Sequence, residues 1–400
     1  MTTSHQDRRA LRDMLRKSGV LTPDWGAAFE VVPRHLFLPE VMWPSTEEGH
    51  TAVSRIHDPD GWWHWANADV PIVTQWDDGT HLGLRHGVLA TSSSSMPTAV
   101  FSMFAELLVF EGAKVLEIGT GTGWCAALLS ARLGERNVVS VEIDEEVADT
   151  ARRSLAAAGW HPEIVVGDGL LGSPEHAPYD RVLVTAGVRE VPRAWIEQTR
   201  PGGVLVMPWG THYTGQNPLV RLVVNDDGSA GGRFSSAARF MHLRSQRDRR
   251  VARADYVPGD EWPGDTRRSF TDLPVDEVMD DSGYAVFDFV AGLLVPGCVH
   301  AHGRTRSGNR TMWLYGLDDL SWAAVFFDEE YSLESRVFQG GPRDLWDEVE
   351  AAHRWWTEQG RPRHEEFGLT VTADGRQEVW FREPAVLLPR SETAPAEAGG

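Results

Sequence analysis

The sequence predicts an α/β fold: a doubly wound parallel sheet with a C-terminal antiparallel hairpin, plus an additional α+β region after it. Three observations predict it. Short, near-continuous apolar runs alternate with helical segments between residues 114 and 208, as parallel strands covered on both faces require. The first run leads into a glycine-rich turn, Val115-Leu-Glu-Ile-Gly-Thr-Gly-Thr-Gly-Trp124. The chain's 400 residues exceed one ordinary domain, which leaves a long segment beyond the sheet.

Residues 7–18 carry helical periodicity through Leu11, Met14 and Leu15, and Gly19 stops it. A second short helix follows Thr22-Pro23-Asp24 over 25–31. Residues 43–78 are broken by Pro44, Gly49, Pro59, Gly61 and Pro71 and read as loop-like. Their Trp62, Trp63 and Trp65 suit core packing better than a peptide groove. Over 97–110 one helical face collects Val100, Phe101, Met103, Phe104, Leu107 and Leu108. Strands are expected at 114–118, 138–143, 164–166, 181–185 and 204–208. A helix after Asp144 runs to Ala158, where Gly159 ends it.

Residues 219–224 and 233–243 flank the turn Asn225-Asp-Asp-Gly228 and read as the closing antiparallel pair. The basic run 244–250 reads as a solvated linker, and the domain boundary is drawn there. Beyond it lie apolar segments at 284–295 and 313–327, a helix around 345–356, and a hairpin joining 370–372 to 379–381. Residues 389–400 predict a disordered tail. The expected organisation is therefore 1–245 with an insertion at about 43–90, an accessory region 246–388, and the tail.

Composition narrows the function. Lys+Arg 38 against Asp+Glu 58 gives a net charge of −20, which argues against nucleic acid or anionic membrane as partner. Cys125 and Cys298 make neither a zinc site nor a disulfide scaffold, and they suit a reducing, cytoplasmic setting. The N-terminus is polar, without the apolar core of a signal peptide. His300-Ala-His302 lacks a third ligand nearby and reads as a loop, so no metal is expected. A monomer is favoured.

The glycine turn carries the chemistry. Gly119, Gly121 and Gly123 let backbone approach a ligand without Cβ clashes, beside the free N–H groups of a helix start. Glu142 ends the next strand about 20 residues on, where a ribose hydroxyl needs an acceptor. Trp124 and Cys125 stand where a dinucleotide site wants its third glycine. That turns the reading from a pyrophosphate carrier towards S-adenosylmethionine. The bland alternative, an ordinary tight turn, loses ground to the motifs around it. Before the amphipathic helix stand Ser92, Ser93, Ser94, Ser95, Met96 and Pro97. Pro97 fits a helix first turn, so Ser95 lies at an N-terminus, where N–H groups, dipole and hydroxyl all favour an anion. Taken alone, the serines read as a loop or cap, and Asp168 as a turn aspartate or an adenine contact.

In chain order come Val32-Pro-Arg-His-Leu-Phe-Leu-Pro39, Pro71-Ile72, Ser92-Ser-Ser-Ser-Met-Pro97, the glycine turn, Val166-Gly-Asp-Gly169, Pro178-Tyr-Asp-Arg-Val-Leu-Val-Thr-Ala186 and Pro201-Gly-Gly-Val-Leu-Val-Met-Pro208. Together they resemble the protein L-isoaspartyl O-methyltransferases over roughly residues 7–243. The resemblance implies S-adenosylmethionine as methyl donor, S-adenosylhomocysteine as product, and a peptide aspartyl or isoaspartyl carboxylate as acceptor. It implies Ser95 as the active-site serine, with Ser93 and Ser94 beside it. Glu142 would hold the ribose, and Asp168 and Gly169 would lie by the adenine. Gly119 and Gly121 would line the methionine end, and Glu117 would stand near its amino group. Thr120, Gly123 and Ile143 complete the cofactor set. His35, in the Val-Pro-Arg-His element, is read as structural.

The insertion and the accessory region depart from a simple repair enzyme. That layout, with Gly341-Pro-Arg-Asp-Leu-Trp346 and Phe367-Gly-Leu-Thr-Val371, looks like the divergent members of ribosomal-peptide biosynthesis. These methylate an aspartate of a graspetide or lanthipeptide precursor, and the ester closes to an aspartimide. The graspetide version is preferred. General isoaspartate repair and an inactive S-adenosylmethionine-binding module are the alternatives. A carboxylate is already ionised at neutral pH, so the transfer needs dehydration and aim rather than a strong base.

Overall fold

A computed structural model describes residues 3–248, 251–257, 266–280, 284–328 and 334–388. The expected tail 389–400 lies outside the described residues. Helices α1 (Thr3–Lys17) and α2 (Pro23–Val31) open the chain. Trp25 of α2 stacks on Phe104 at 4.1 Å, which ties this cap to the main core.

The insertion is a folded sheet, which corrects the loop-like expectation for 43–78. Strands β1 (Val41–Thr46), β2 (Gly49–His50), β3 (Val53–Ser54), β4 (Ile72–Trp76) and β5 (Ala90–Ser94) pair antiparallel around helix α3 (Pro59–Ala66). Met42, Trp62, Ala66 and Ile72 form one small core and Trp43, Val73 and Trp76 another. Trp63 and Trp65 pack against the first, as the packing reading expects. The prolines and glycines that suggested a loop punctuate strands of two to six residues, too short to show a period.

The central elements follow as expected, apart from the short helix α7, which the sequence reading did not include: α4 (Pro97–Leu107), β6 (Val115–Ile118), α5 (Trp124–Leu133), β7 (Val138–Glu142), α6 (Glu145–Ala157), β8 (Glu163–Val166), β9 (Tyr179–Val184), α7 (Arg193–Glu197), β10 (Thr199–Pro208) and β11 (Leu219–Val224). Strand β12 covers Ala230–Phe234. The strand expected to reach 243 thus ends early. Ser235 and Ser236 still bond Leu219 of β11, and beyond them the chain bonds to edges elsewhere, for example Met241 O accepting from Gly187 N.

After β12 come α8 (Arg253–Tyr256), β13 (Arg267–Thr271), α9 (Val275–Val278), α10 (Val286–Leu294), β14 (Cys298–Arg304), β15 (Arg310–Gly316), β16 (Trp322–Phe326), β17 (Ser335–Gly340), α11 (Leu345–Glu358), β18 (Phe367–Val371) and β19 (Gln377–Phe381). His300 and His302 sit on strand β14, not on a loop. His300 is half-buried with its ring against Tyr213, and desolvation there pushes its pKa down to about 3. Among the described residues no three His, Cys, Asp or Glu gather as metal ligands.

The main sheet has nine strands in the order β19-β18-β12-β11-β10-β9-β6-β7-β8. Pairings from β10 through β9, β6 and β7 to β8 are parallel, and those from β10 through β11, β12 and β18 to β19 are antiparallel. The late hairpin β18–β19 therefore extends the main sheet across the boundary drawn at 246. A separate antiparallel sheet, β13-β17-β16-β15-β14, forms the accessory layer. Alternate residues of the central strands face opposite cores. Val115 and Leu183 point to the side of α2, α4 and α5, while Leu116, Val182 and Val184 face the other. Helix α10 lies between the layers, with Phe289 and Val290 in the main core and Phe287 and Ala291 in the accessory one. The strand order reverses at β6, with β7 and β8 laid down on one side and β9 and β10 on the other, so its C-terminal end is the switch point where an α/β sheet binds ligands.

Candidate active site

A cleft open to solvent, with about 930 Å³ of space including its mouth, lies at that switch point. Several segments line it, and three of them hold the expected residues. The glycine turn after β6 contributes Gly119, Thr120 and Gly121, the ends of β7 and β8 contribute Glu142, Ile143, Asp168 and Gly169, and β5 contributes Ser92, Ser93 and Ser94 with Ser95 beyond it. Most of the expected site residues therefore meet in one place. Glu117 and Gly123 do not line the cleft. Glu117 is buried within β6, and Gly123, at φ +87, caps α5 with Ala151 and Leu155 against the space of its missing Cβ.

The turn is shaped for close approach. Gly119 has φ +94, and a Cβ there would stand 2.8 Å from Thr185 Oγ1. At Gly121, φ +53, a Cβ would stand 3.3 Å from Ser93 O, so the serine strand packs directly against the turn and both line the cleft. Glu142 closes the floor: Oε2 accepts from Gly121 N at 2.9 Å and Oε1 from Asp144 N at 3.1 Å. Burial raises its pKa against the pull of those two donors. Asp168 caps a short 3-10 turn, accepting from Leu170 N.

Glu117 is fully buried. Its Oε2 accepts from Ser140 Oγ at 2.5 Å, and its Oε1 has no partner. Burial first, then the nearby Glu142, push its pKa to about 8 against the Ser140 bond. A buried carboxylate oxygen without a donor, beneath a turn where only backbone fits, matches a ligand that brings a cationic amino group.

The serines are not a flexible loop. Ser92 and Ser94 are buried on β5, Pro97 opens α4, and Ser95 precedes the N-cap Met96. Arg34 holds them. Its Nε donates to Ser94 Oγ at 2.9 Å, and its Nη2 donates to Ser94 O and Ser95 O at 2.9 and 3.0 Å. Further bonds reach Ala68 O and Val70 O, and the guanidinium lies over Trp124. Burial lowers the Arg34 pKa to about 9, so it stays charged at neutral pH. The sequence assigned Arg34 only a structural part, and its partners 60 residues away gave no local signal.

The roof was also missed. Met241, His242, Leu243, Arg244, Ser245 and Arg247 line the cleft, so 244–247 is no solvated linker. Arg244 Nη2 donates to Asp144 Oδ2 at 2.5 Å, and Arg244 Nε lies 3.1 Å from Asp78 Oδ1. Arg247 bonds Asp78 at 2.9 Å, and Gln75 reaches Asp144 at 3.2 Å. Burial would raise the Asp144 pKa, but Arg244 and the backbone donor of Val147 outweigh it and hold it low. The insertion and the roof are thus clasped over the Glu142 side of the cleft. The available signal was the density of arginines straight after the closing strands.

Comparison with known proteins accords with this geometry. A family model described as Protein-L-isoaspartate(D-aspartate) O-methyltransferase (PCMT) matches residues 74–248. A protein-L-isoaspartate O-methyltransferase of Thermococcus onnurineus (strain NA1) is 33% identical over 235 residues, covering 58% of this chain and 90% of that one. Protein-L-isoaspartate O-methyltransferase 1 of Archaeoglobus fulgidus is 35% identical over 240 residues, covering 60% and 93%. A solved structure titled protein-L-isoaspartate O-methyltransferase shares the fold at TM-score 0.53 and 24% identity, covering 93% of this chain and 98% of that one.

Proposed function

The chain belongs to the protein-L-isoaspartate O-methyltransferase family, and from that premise we propose that it methylates an aspartyl side-chain carboxylate of a ribosomally made precursor peptide, of the graspetide class, so that an aspartimide forms. It is a protein carboxyl O-methyltransferase, and its cofactor S-adenosylmethionine supplies an electrophilic methyl group and leaves as S-adenosylhomocysteine. Glu142 would hold the ribose, Asp168, Gly169 and Ile143 the adenine side, and Gly119, Thr120 and Gly121 the methionine end. Glu117, beneath the turn, would answer the amino group, and Gly123 serves by packing.

The observation that carries the reading is the opposition of the serine strand to the glycine turn, 3.3 Å from Ser93 O to the position of a Gly121 Cβ. Arg34 Nε occupies an acceptor site of Ser94 Oγ, which leaves the Ser94 hydroxyl proton free to donate. Ser95, just ahead of the N-cap of α4, adds a hydroxyl at a helix N-terminus. These donors hold an ionised carboxylate and strip its water, while the clasp of Arg244 and Asp78 shields the cleft. One carboxylate oxygen forms the new C–O bond, with no proton to remove. The backbone nitrogen of the next residue then attacks the ester carbonyl, methanol leaves with that nitrogen's proton, and the five-membered imide closes.

What supports a defined peptide over any damaged protein is the surface built at the cleft mouth by the insertion sheet. A second reading, methylation of isoaspartyl residues at large, is favoured by the names of the curated relatives. Neither the accessory layer nor the insertion separates the two by its mere presence, since the solved structure aligns over 93% of this chain. The test is incubation with S-adenosylmethionine and either an isoaspartyl peptide or a cyclised precursor, followed by intact mass. Gain of a methylene and then net loss of water on the precursor alone supports the proposal. Turnover of the isoaspartyl peptide alone overturns it in favour of repair.

A further inference from the structure

Residues 80–89 join β4 to β5, whose residues 91–94 line the cleft, and carry an unusual set of exposed side chains. Leu82 is 89% exposed, Val88 76%, Leu84 59% and Leu89 46%. Four exposed apolar side chains within eight residues are dense enough to make a contact surface. The backbone beneath them is fixed. Trp43 Nε1 donates to Leu84 O at 3.1 Å, and the Asp77 carboxylate accepts from Val88 N at 3.0 Å and Leu89 N at 2.7 Å. The His86 ring lies against Trp76, 5.5 Å between centroids. At Gly87 a Cβ would stand 2.3 Å from Asp77 Oδ2, so only glycine lets the chain pass. The loop is therefore a preformed surface, and binding to it costs little ordering.

Its position and charge name the occupant. Leu89 runs directly into β5, whose Thr91, Ser92 and Ser93 line the cleft. Asp78, at the root of the loop, bonds Arg244 and Arg247 of the roof. In a chain of net charge −20, residues 79–105 hold no Asp or Glu, and the loop adds Arg85, His81 and His86. The acceptor is itself an anion, and the two acids at the loop's root are already engaged, Asp77 by Val88 N and Leu89 N and Asp78 by Arg244 and Arg247, so this rim adds little further repulsion for an acidic chain.

We propose that loop 80–89 is the docking surface for the acceptor peptide, and that it selects a segment in which apolar side chains and further carboxylates flank the methylated residue. This rests on the peptide-acceptor reading above. The probe is a short fluorescein-labelled peptide with an aspartate between leucine and valine and glutamates at both ends, titrated by anisotropy against the full chain with S-adenosylhomocysteine present. The Leu82→Asp/Val88→Asp variant is expected to bind it roughly tenfold more weakly, with S-adenosylhomocysteine affinity unchanged. A peptide with serines in place of leucine and valine should bind both proteins equally weakly. Lysines in place of the glutamates should weaken binding, and Arg85→Glu should narrow that difference.

No binding by the unaltered chain, equal binding of the apolar and serine peptides, or an unaffected variant each overturns the inference. So does a dimer in sedimentation that the variant abolishes, which would assign the face to a second copy. Methyl transfer from labelled S-adenosylmethionine, followed in the same samples, keeps the two claims apart. Variant-sensitive binding without transfer leaves the docking surface standing and sinks the acceptor reading. Transfer that the variant leaves unchanged does the reverse.

Discussion

Replacing Glu117 by Gln removes a titration that the fold makes expensive. The carboxyl is fully buried, one oxygen has no partner, and its pKa stands near 8 in place of 4.5. Between those two values the unfolded chain has lost this proton while the folded chain keeps it. Folding stability therefore falls as pH rises through that window, and the loss is complete above about pH 8. At about 1.36 kcal/mol per pH unit, the gap is on the order of 5 kcal/mol, of which about 4 accrues between pH 5 and pH 9. Gln keeps the shape and the acceptor for Ser140 Oγ and carries no charge at any of these pH values. Urea unfolding should thus show Glu117→Gln gaining about 4 kcal/mol relative to the unaltered chain from pH 5 to pH 9. A difference that does not change with pH would refute the buried, protonated carboxyl. The same carboxyl should ionise when a cationic amino group arrives. Calorimetry of S-adenosylhomocysteine binding at about pH 7 in buffers of different ionisation enthalpy should then report close to one proton released, and none in Glu117→Gln.

The remaining expectations concern the serines and the clasp. Arg34→Met strands the carbonyls of Ser94, Ser95, Ala68 and Val70, so it should lower stability by roughly 3 kcal/mol and cut kcat with little change in cofactor affinity. Arg34→Lys should recover part of both, measured by urea unfolding and steady-state kinetics. Ser95→Ala should slow methyl transfer about tenfold or more in single-turnover assays while S-adenosylhomocysteine binds as before. Arg244→Ala removes the bridge between Asp144 and Asp78 and should weaken S-adenosylhomocysteine binding about tenfold by calorimetry, with a smaller effect at high salt.

The parts of this molecule legible in sequence are those whose signal is local. Strand β11 was read to its ends at 219 and 224, and β6 stood out because every residue of Val115–Ile118 is buried and apolar but one. The glycine turn, Glu142 and the serine run were also readable, since each is a short motif whose chemistry lies in its own residues. The insertion was not, because its strands find their partners far along the chain, as Trp43 does at Val73. Strands β13, β14 and β17 escaped notice for a different reason. They are short or half exposed, and polar residues such as Arg267, Arg268 and Arg336 interrupt any apolar run. In the site, Arg34 and Arg244 were undervalued because their bonds to Ser94 and Asp144 span 60 and 100 residues. A buried arginine gives no sign in sequence of what it holds.

The central claim is that a peptide carboxylate is held by the serine strand against the methyl donor seated on the glycine turn. A crystal structure of the chain with S-adenosylhomocysteine and an aspartyl peptide tests it most directly. The account predicts the ribose on Glu142, the sulfur turned towards Ser93, Ser94 and Ser95, and the peptide carboxylate between them. A sulfur facing away from those serines, or a cofactor seated off the turn after β6, would contradict it.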